Sequence, residues 1–203
     1  PTGCYITTPV TVNPHPPAIT GSALLCIGNF SLLSDISSGG LWASGSPLIA
    51  RIGSSSGLVT GVAVGAALIT YTAMSGCTTT REVTVAALPV GITGSSTVCM
   101  GSSVVESNTT PGGTWASSNL IIATVGSLTG VVTGINTGFA VISYTTPAGC
   151  IVTKIVTVNL PPPGISGPSR VCAGQVISLT DPVPGGFWAS STPAVASVGT
   201  LTG

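Results

Sequence analysis

Six cysteines are the residues of this chain best suited to chemistry, and their spacing is regular. Cys4, Cys77 and Cys150 are 73 residues apart, and so are Cys26, Cys99 and Cys172. Thiols can ligate a metal, act as nucleophiles or pair as disulfides. A structural zinc site wants Cys-x-x-Cys spacing or several histidines; no such spacing occurs, and His15 is the single histidine. A nucleophilic thiol or hydroxyl needs a base beside it, and His15 sits among prolines, where a solvated joint residue is expected. Disulfides in an oxidising compartment are therefore the expected use of the cysteines.

The spacing leaves three pairings open. Bonds within one period give Cys26–Cys77 and Cys99–Cys150, with Cys4 and Cys172 paired outside this sequence. Bonds across a junction give Cys4–Cys26, Cys77–Cys99 and Cys150–Cys172. A third scheme joins Cys26 to Cys150. The first is adopted as the expectation; closing a loop of about 50 residues would contribute roughly 3–4 kcal/mol, a large part of a small domain's margin.

The other reactive side chains are sparse. The four acids (Asp35, Glu82, Glu106, Asp181) do not cluster. Asp35 and Asp181 share one position of the period but Asn108 fills it in between, so the several oxygen ligands of a calcium site are not expected. Glu82, Glu106 and Lys154 lack equivalents, which argues against a Lys–Asn cross-link repeated in each unit. Asn29-Phe30-Ser31 and Asn108-Thr109-Thr110 match the N-glycosylation pattern, so glycans on Asn, or on the abundant Ser and Thr, are candidate adducts. Trp42, Trp115 and Trp188 obey the same spacing of 73. A sugar-stacking platform is one use for them; a core aromatic of a β-sandwich is the expected one, with Tyr71 and Tyr144 as core partners. No catalytic residue, cofactor or metal ligand is expected, and the chain is not expected to be an enzyme.

The elements that must position these residues recur with the same period. Trp42–Thr72 and Trp115–Thr145 align without a gap and are identical at 16 of 31 positions. Such self-similarity marks an array. Four segments are expected: residues 1–18 as the end of a preceding repeat, 19–91 and 92–164 as complete repeats, and 165–203 as the first part of another. The chain reads as a window from a longer protein. Missing strands of the last repeat are expected elsewhere in that protein; supply by another chain is the alternative.

Within 19–91 the pattern predicts seven short strands: Ala23–Cys26, Phe30–Ser34, Leu41–Ser44, Ile49–Ile52, Leu58–Val62, Ala67–Thr72 and Thr80–Ala86. Val10-Thr11-Val12 predicts a strand by the same β-branched alternation. Strands this short, with turns every 8–12 residues and no helical period, predict an all-β chain of antiparallel β-sandwiches. Leu88-Pro89 and Leu160-Pro161-Pro162-Pro163 form short, stiff joints.

Composition narrows the function. Charged residues make up 4%, against roughly 25% in ordinary soluble domains. With four basic and four acidic side chains the net charge is zero, which argues against nucleic acid as a partner and against acidic lipid. No run approaches the about 20 apolar residues of a membrane span. A near-neutral Ser/Thr/Gly surface lacks the repulsion that keeps copies apart. Self-packing, head to tail and side by side, is the expected partnership; a merely solvated hydroxyl surface is the alternative.

The string Trp115-Ala116-Ser117-Ser118-Asn119, Ile122-Ala123-Thr124-Val125, Gly130-Val131-Val132-Thr133-Gly134 and Ile142-Ser143-Tyr144 resembles the bacterial immunoglobulin-like group 2 repeats of intimin- and invasin-type adhesins. The Cys-Met-Gly at 99–101 and Gly-Cys at 149–150 are similar to tandem repeats in very large surface proteins of the Bacteroidetes type. The resemblance implies a tandem array of immunoglobulin-like sandwiches, about seven strands per repeat, at the cell surface or secreted. It also implies a structural job: the repeat region of an extracellular filament, with an adhesin stalk or an accessory module of a secreted polysaccharide-active enzyme as alternatives. It sharpens a tension as well, because in an immunoglobulin strand order the first corner and last hairpin lie at opposite poles, whereas a disulfide needs Cα atoms within about 7 Å.

Overall fold

Along Gly65–Thr72 every second side chain turns inward: Ala67, Ile69 and Tyr71 are buried while Leu68 faces out. Gly138–Thr145 repeats the alternation with Ala140, Ile142 and Tyr144. A period of two with one apolar face is what a half-buried strand requires. The computed structural model describes residues 3–201. Among them it contains fourteen strands and no helix.

The first seven strands form one sandwich. They are β1 (Leu24–Cys26), β2 (Phe30–Leu32), β3 (Leu41–Ser44), β4 (Ala50–Ile52), β5 (Leu58–Gly61), β6 (Gly65–Thr72) and β7 (Thr78–Ala86). One sheet has the order β1-β7-β6-β3 and the other β2-β5-β4. The second sandwich repeats the plan with β8 (Thr97–Cys99), β9 (Ser103–Val105), β10 (Thr114–Ser117), β11 (Ala123–Val125), β12 (Val131–Gly134), β13 (Gly138–Thr145) and β14 (Ile151–Asn159). Its sheets run β10-β13-β14-β8 and β11-β12-β9. Strands pair antiparallel, apart from β1 beside β7 and β8 beside β14, and a single parallel bridge joins Met100 to Gly134. Register is conserved too: Trp42 lies opposite Tyr71, and Trp115 opposite Tyr144.

Each pair seals its core. The ring centroids are 4.7 Å apart in the first sandwich and 4.8 Å in the second, tilted at 52° and 59°. Trp42 and Trp115 keep only 8% and 7% of their surface. A glycine lets the neighbouring turn approach the indole. Gly130 has φ +67°, and a Cβ there would stand 3.1 Å from the Trp115 ring and press on the Glu106 carbonyl; Gly57 holds the same place over Trp42.

The tyrosine hydroxyl ties the sheet to a loop. Tyr144 Oη accepts from the Gly113 amide at 2.9 Å and donates to the Thr110 carbonyl. Tyr71 does the same with Gly40 and Ser37. Removing this hydroxyl leaves a half-buried amide and carbonyl without partners, at about 1 kcal/mol. Tyr144→Phe is therefore expected to lower the unfolding free energy of the second sandwich by that amount, read as a lower denaturant midpoint with an unchanged m-value. A loss below about 0.5 kcal/mol would mean water replaces the hydroxyl.

Outside the sandwiches the expectations divide. Val10-Thr11-Val12 forms no strand, contrary to the sequence pattern, and Val10 and Val12 are exposed. Its counterparts in β7 and β14 are strands because β6 and β13 lie alongside, and no strand lies alongside residues 10–12. Residues 165–201 keep local turns but no sheet. Ser166 and Thr180 exchange backbone hydrogen bonds as Thr20 and Ser34 do, and the Trp188 amide donates to Thr200 as Trp42 donates to Ser54.

Candidate functional site

The junction between the sandwiches carries the most specific chemistry. Cys26 Sγ is bonded to Cys150 Sγ, with Cα atoms 5.6 Å apart and 124 residues of sequence separation. Both cysteines are sealed, at 5% and 0% exposure. Cys4, Cys77, Cys99 and Cys172 are free thiols among the described residues. The pairings Cys26–Cys77 and Cys99–Cys150 are thus corrected to Cys26–Cys150.

Strand geometry gives the reason. Cys26 lies level with Ala86 at the end of β7, while Cys77 immediately precedes that strand's first residue. Nine residues at about 3.3 Å each separate the two by roughly 30 Å, far beyond disulfide reach. In the second sandwich Cys99 lies level with Asn159 and Cys150 precedes β14. A bond inside one sandwich would have to span its full length. The first corner of one sandwich and the last hairpin of the next meet at the junction.

Two further features hold that junction. Pro89 is buried, and the Val90 backbone is gripped on both sides. Its amide donates to Thr110 Oγ1 at 3.1 Å, and its carbonyl accepts from Asn108 Nδ2 at 2.6 Å. Asn108 Oδ1 in turn accepts from the Thr110 amide at 2.9 Å. The nitrogen to which a glycan on Asn108 would attach is therefore already engaged. Asn108→Ala is expected to cost about 1 kcal/mol and to speed amide exchange at Thr110, whereas Asn108→Asp keeps the Oδ1 acceptor and so keeps Thr110 protected. Equal exchange in the two variants would show that the side chain does not hold the linker.

One charged pair lies beside the second core, its acid buried and its lysine partly exposed. Lys154 Nζ donates to Glu106 Oε2 at 2.7 Å and to the Gly94 carbonyl at 2.8 Å. Glu106 is 1% exposed, and its Oε1 has no partner. The matching position in the first sandwich is Leu33, fully buried, and Arg81, which matches Lys154, donates to the Ile19 carbonyl. Spacing along the chain does not indicate this pair, whose members are 48 residues apart. Its sequence signal was one acid, Glu106, at a position of the period that is Leu33 before it and Leu179 after it.

Polar groups do not converge on the tryptophans. Trp115 borders a shallow open recess of about 470 Å³ with Asn108, Thr110 and Thr129, but its ring is sealed by Tyr144 and Gly130. Trp188 departs from the expected core position. It is half-buried at the rim of a recess of about 310 Å³, because among the described residues no tyrosine stands opposite it. His15 is exposed, and its Nδ1 lies 2.6 Å from the Pro16 carbonyl. No group of three or more His, Cys, Asp or Glu among the described residues could hold a metal ion.

No family model matches this sequence, and no curated protein matches it. Several solved structures are similar in fold. Domains 4 and 5 of the S-layer protein SbsC align over 71% of this chain and 99% of theirs, at 17% identity and TM-score 0.34. The C-terminal fragment of intimin, solved with the intimin-binding domain of its translocated receptor, aligns over 76% of this chain and 67% of its own at 16% identity, with TM-score 0.45. Mouse cadherin-23 repeats EC22–24 align over 72% and 64%, at 13% identity and TM-score 0.28.

Proposed function

We propose that this chain is a load-bearing segment of an extracellular fibre, built from tandem immunoglobulin-like units and supplying length, stiffness and lateral cohesion. The observation that carries this reading is the buried Cys26–Cys150 bond between successive sandwiches. A bond placed there adds nothing to a binding or catalytic surface. It prevents two neighbours from separating. A persistent disulfide also fits an oxidising, extracellular setting.

The surface supports lateral cohesion. Phe30, Leu32 and Val105 on β2 and β9 are 60–70% exposed, and Phe139 on β13 is 67% exposed. With a charged fraction of 4%, little electrostatic repulsion opposes contact between such faces. Partners under this reading are further copies of the same chain, with glycans on Asn, Ser or Thr as decoration.

Electron micrographs of the native assembly test the proposal. Regular, laterally bundled fibres are the expected result. Isolated thin rods would replace it with the stalk of a single-chain adhesin. A catalytic domain in the same gene, together with sugar binding by these units, would replace it with an accessory role in a polysaccharide-active enzyme.

A further inference from the structure

The bonded junction is flanked by two unbonded copies of its own halves. Around Cys26 the chain turns through Gly28 (φ +81°), and the Asn29 amide donates to the Cys26 carbonyl at 3.0 Å. Around Cys99 it turns through Gly101 (φ +82°), and Ser102 donates to the Cys99 carbonyl at 3.0 Å. The hairpin ending at Cys150 closes with Thr146 donating to the Cys150 carbonyl and Gly149 to Thr146, both at 2.9 Å. The hairpin ending at Cys77 closes identically, Ala73 donating to Cys77 and Gly76 to Ala73, again at 2.9 Å. Each free thiol thus leaves the same backbone as a bonded one. The difference is exposure: Cys26 and Cys150 are sealed, whereas Cys77 and Cys99 are half-buried and free.

We infer that Cys99 and Cys77 are covalent acceptors for neighbouring units of this same sequence pattern. Cys99 takes the last-hairpin cysteine of a unit stacked on the second sandwich. Cys77 takes the first-corner cysteine of a unit stacked below the first. In each case two thiols lose two protons and two electrons to a small disulfide oxidant, which is reduced to two thiols, and one S–S bond forms. The bonds would interlock, because each sandwich would carry one at its corner and another at its hairpin. The cysteines at 4 and 172 belong to the same two phases. The assignment rests on the junction's geometry and holds whether the assembly is a bundled fibre or a lone stalk.

Such a unit could lie on the same polypeptide or on a second copy, and two experiments separate these sources. In the first, the 203-residue chain is oxidised with glutathione disulfide and mapped by non-reducing peptide mass spectrometry. Peptides joining Cys77 of one copy to Cys99 of another would assign the acceptor role to a second copy. In the second, the stretch 131–164 is appended after Gly203, which supplies the strands and hairpin that the sandwich plan places after residues 165–203. The expected map keeps Cys26–Cys150 and adds a bond from Cys99 to the appended hairpin cysteine, with loss of Cys99 alkylation. The proposal is overturned if Cys99 stays fully alkylated in both experiments, or if the appended cysteine bonds to Cys172. A Cys99→Ser version of the extended chain must leave the appended cysteine alkylated; if that cysteine is still bonded, the geometry is not the one seen at Cys26–Cys150.

Discussion

Pulled from its two ends, the oxidised chain is expected to release no contour length from residues 27–149. Tension entering at the amino-terminal side reaches Cys26, crosses the S–S bond to Cys150, and continues toward the carboxyl end. Nearly all of both sandwiches lies inside the closed loop and outside the path of force. Only β1, β14 and the flanking segments can be peeled. After reduction, or in Cys26→Ser/Cys150→Ser, the separation of 124 residues becomes extensible, at 3.3–3.6 Å per residue or roughly 400 Å in all. Single-molecule force extension reads this difference directly. A release approaching 400 Å from verified oxidised chains would show that the bond does not shield the sandwiches.

The same bond should raise equilibrium stability. If one sandwich unfolds while the other stays native, its chain is a loop of roughly 60 residues pinned at both ends, and the entropy lost raises the free energy of the unfolded state by about 4 kcal/mol. Reduction should therefore lower both unfolding transitions together, an effect that a disulfide confined to one sandwich would not produce.

Lys154→Met is expected to destabilise the second sandwich by about 3–5 kcal/mol, because it strands the Glu106 carboxylate in a site that excludes water. Glu106 already has one oxygen without a partner, so the loss of Lys154 removes its remaining hydrogen bond. The compensating variant is visible in the molecule itself, since Leu33 fills the equivalent place of the first sandwich. Glu106→Leu combined with Lys154→Met should recover the wild-type unfolding free energy or exceed it by about 1–4 kcal/mol. Chemical denaturation with a probe on Trp115 follows this sandwich separately. A cost below about 1 kcal/mol for Lys154→Met alone would mean that water enters beside Glu106.

Much of the fold was legible because the pattern is local. The alternation along Ala67-Leu68-Ile69-Thr70-Tyr71 settles which face is buried, and the spacing of 73 between Trp42 and Trp115 carries that reading into the second sandwich. Seven strands per sandwich follow, with ends displaced by a residue or two. Val10-Thr11-Val12 has the same local pattern and forms no strand, since a strand exists only where another supplies its hydrogen bonds. Trp188 shows the same dependence: its spacing marks a core position, but without a facing tyrosine it remains half-exposed.

The sequence by itself determined the β class, the period, the inward positions of Trp42 and Trp115, and the two phases of cysteine. It could not determine which phase meets which. Spacing along the chain measures contour, and a disulfide responds to distance in space; strands about 30 Å long carry two cysteines of one period to opposite poles. Only the stacking of one sandwich on the next brings Cys26 within 5.6 Å of Cys150. Likewise only the folded core sets Lys154 against Glu106, because residues 48 apart in sequence become neighbours through the packing of two sheets.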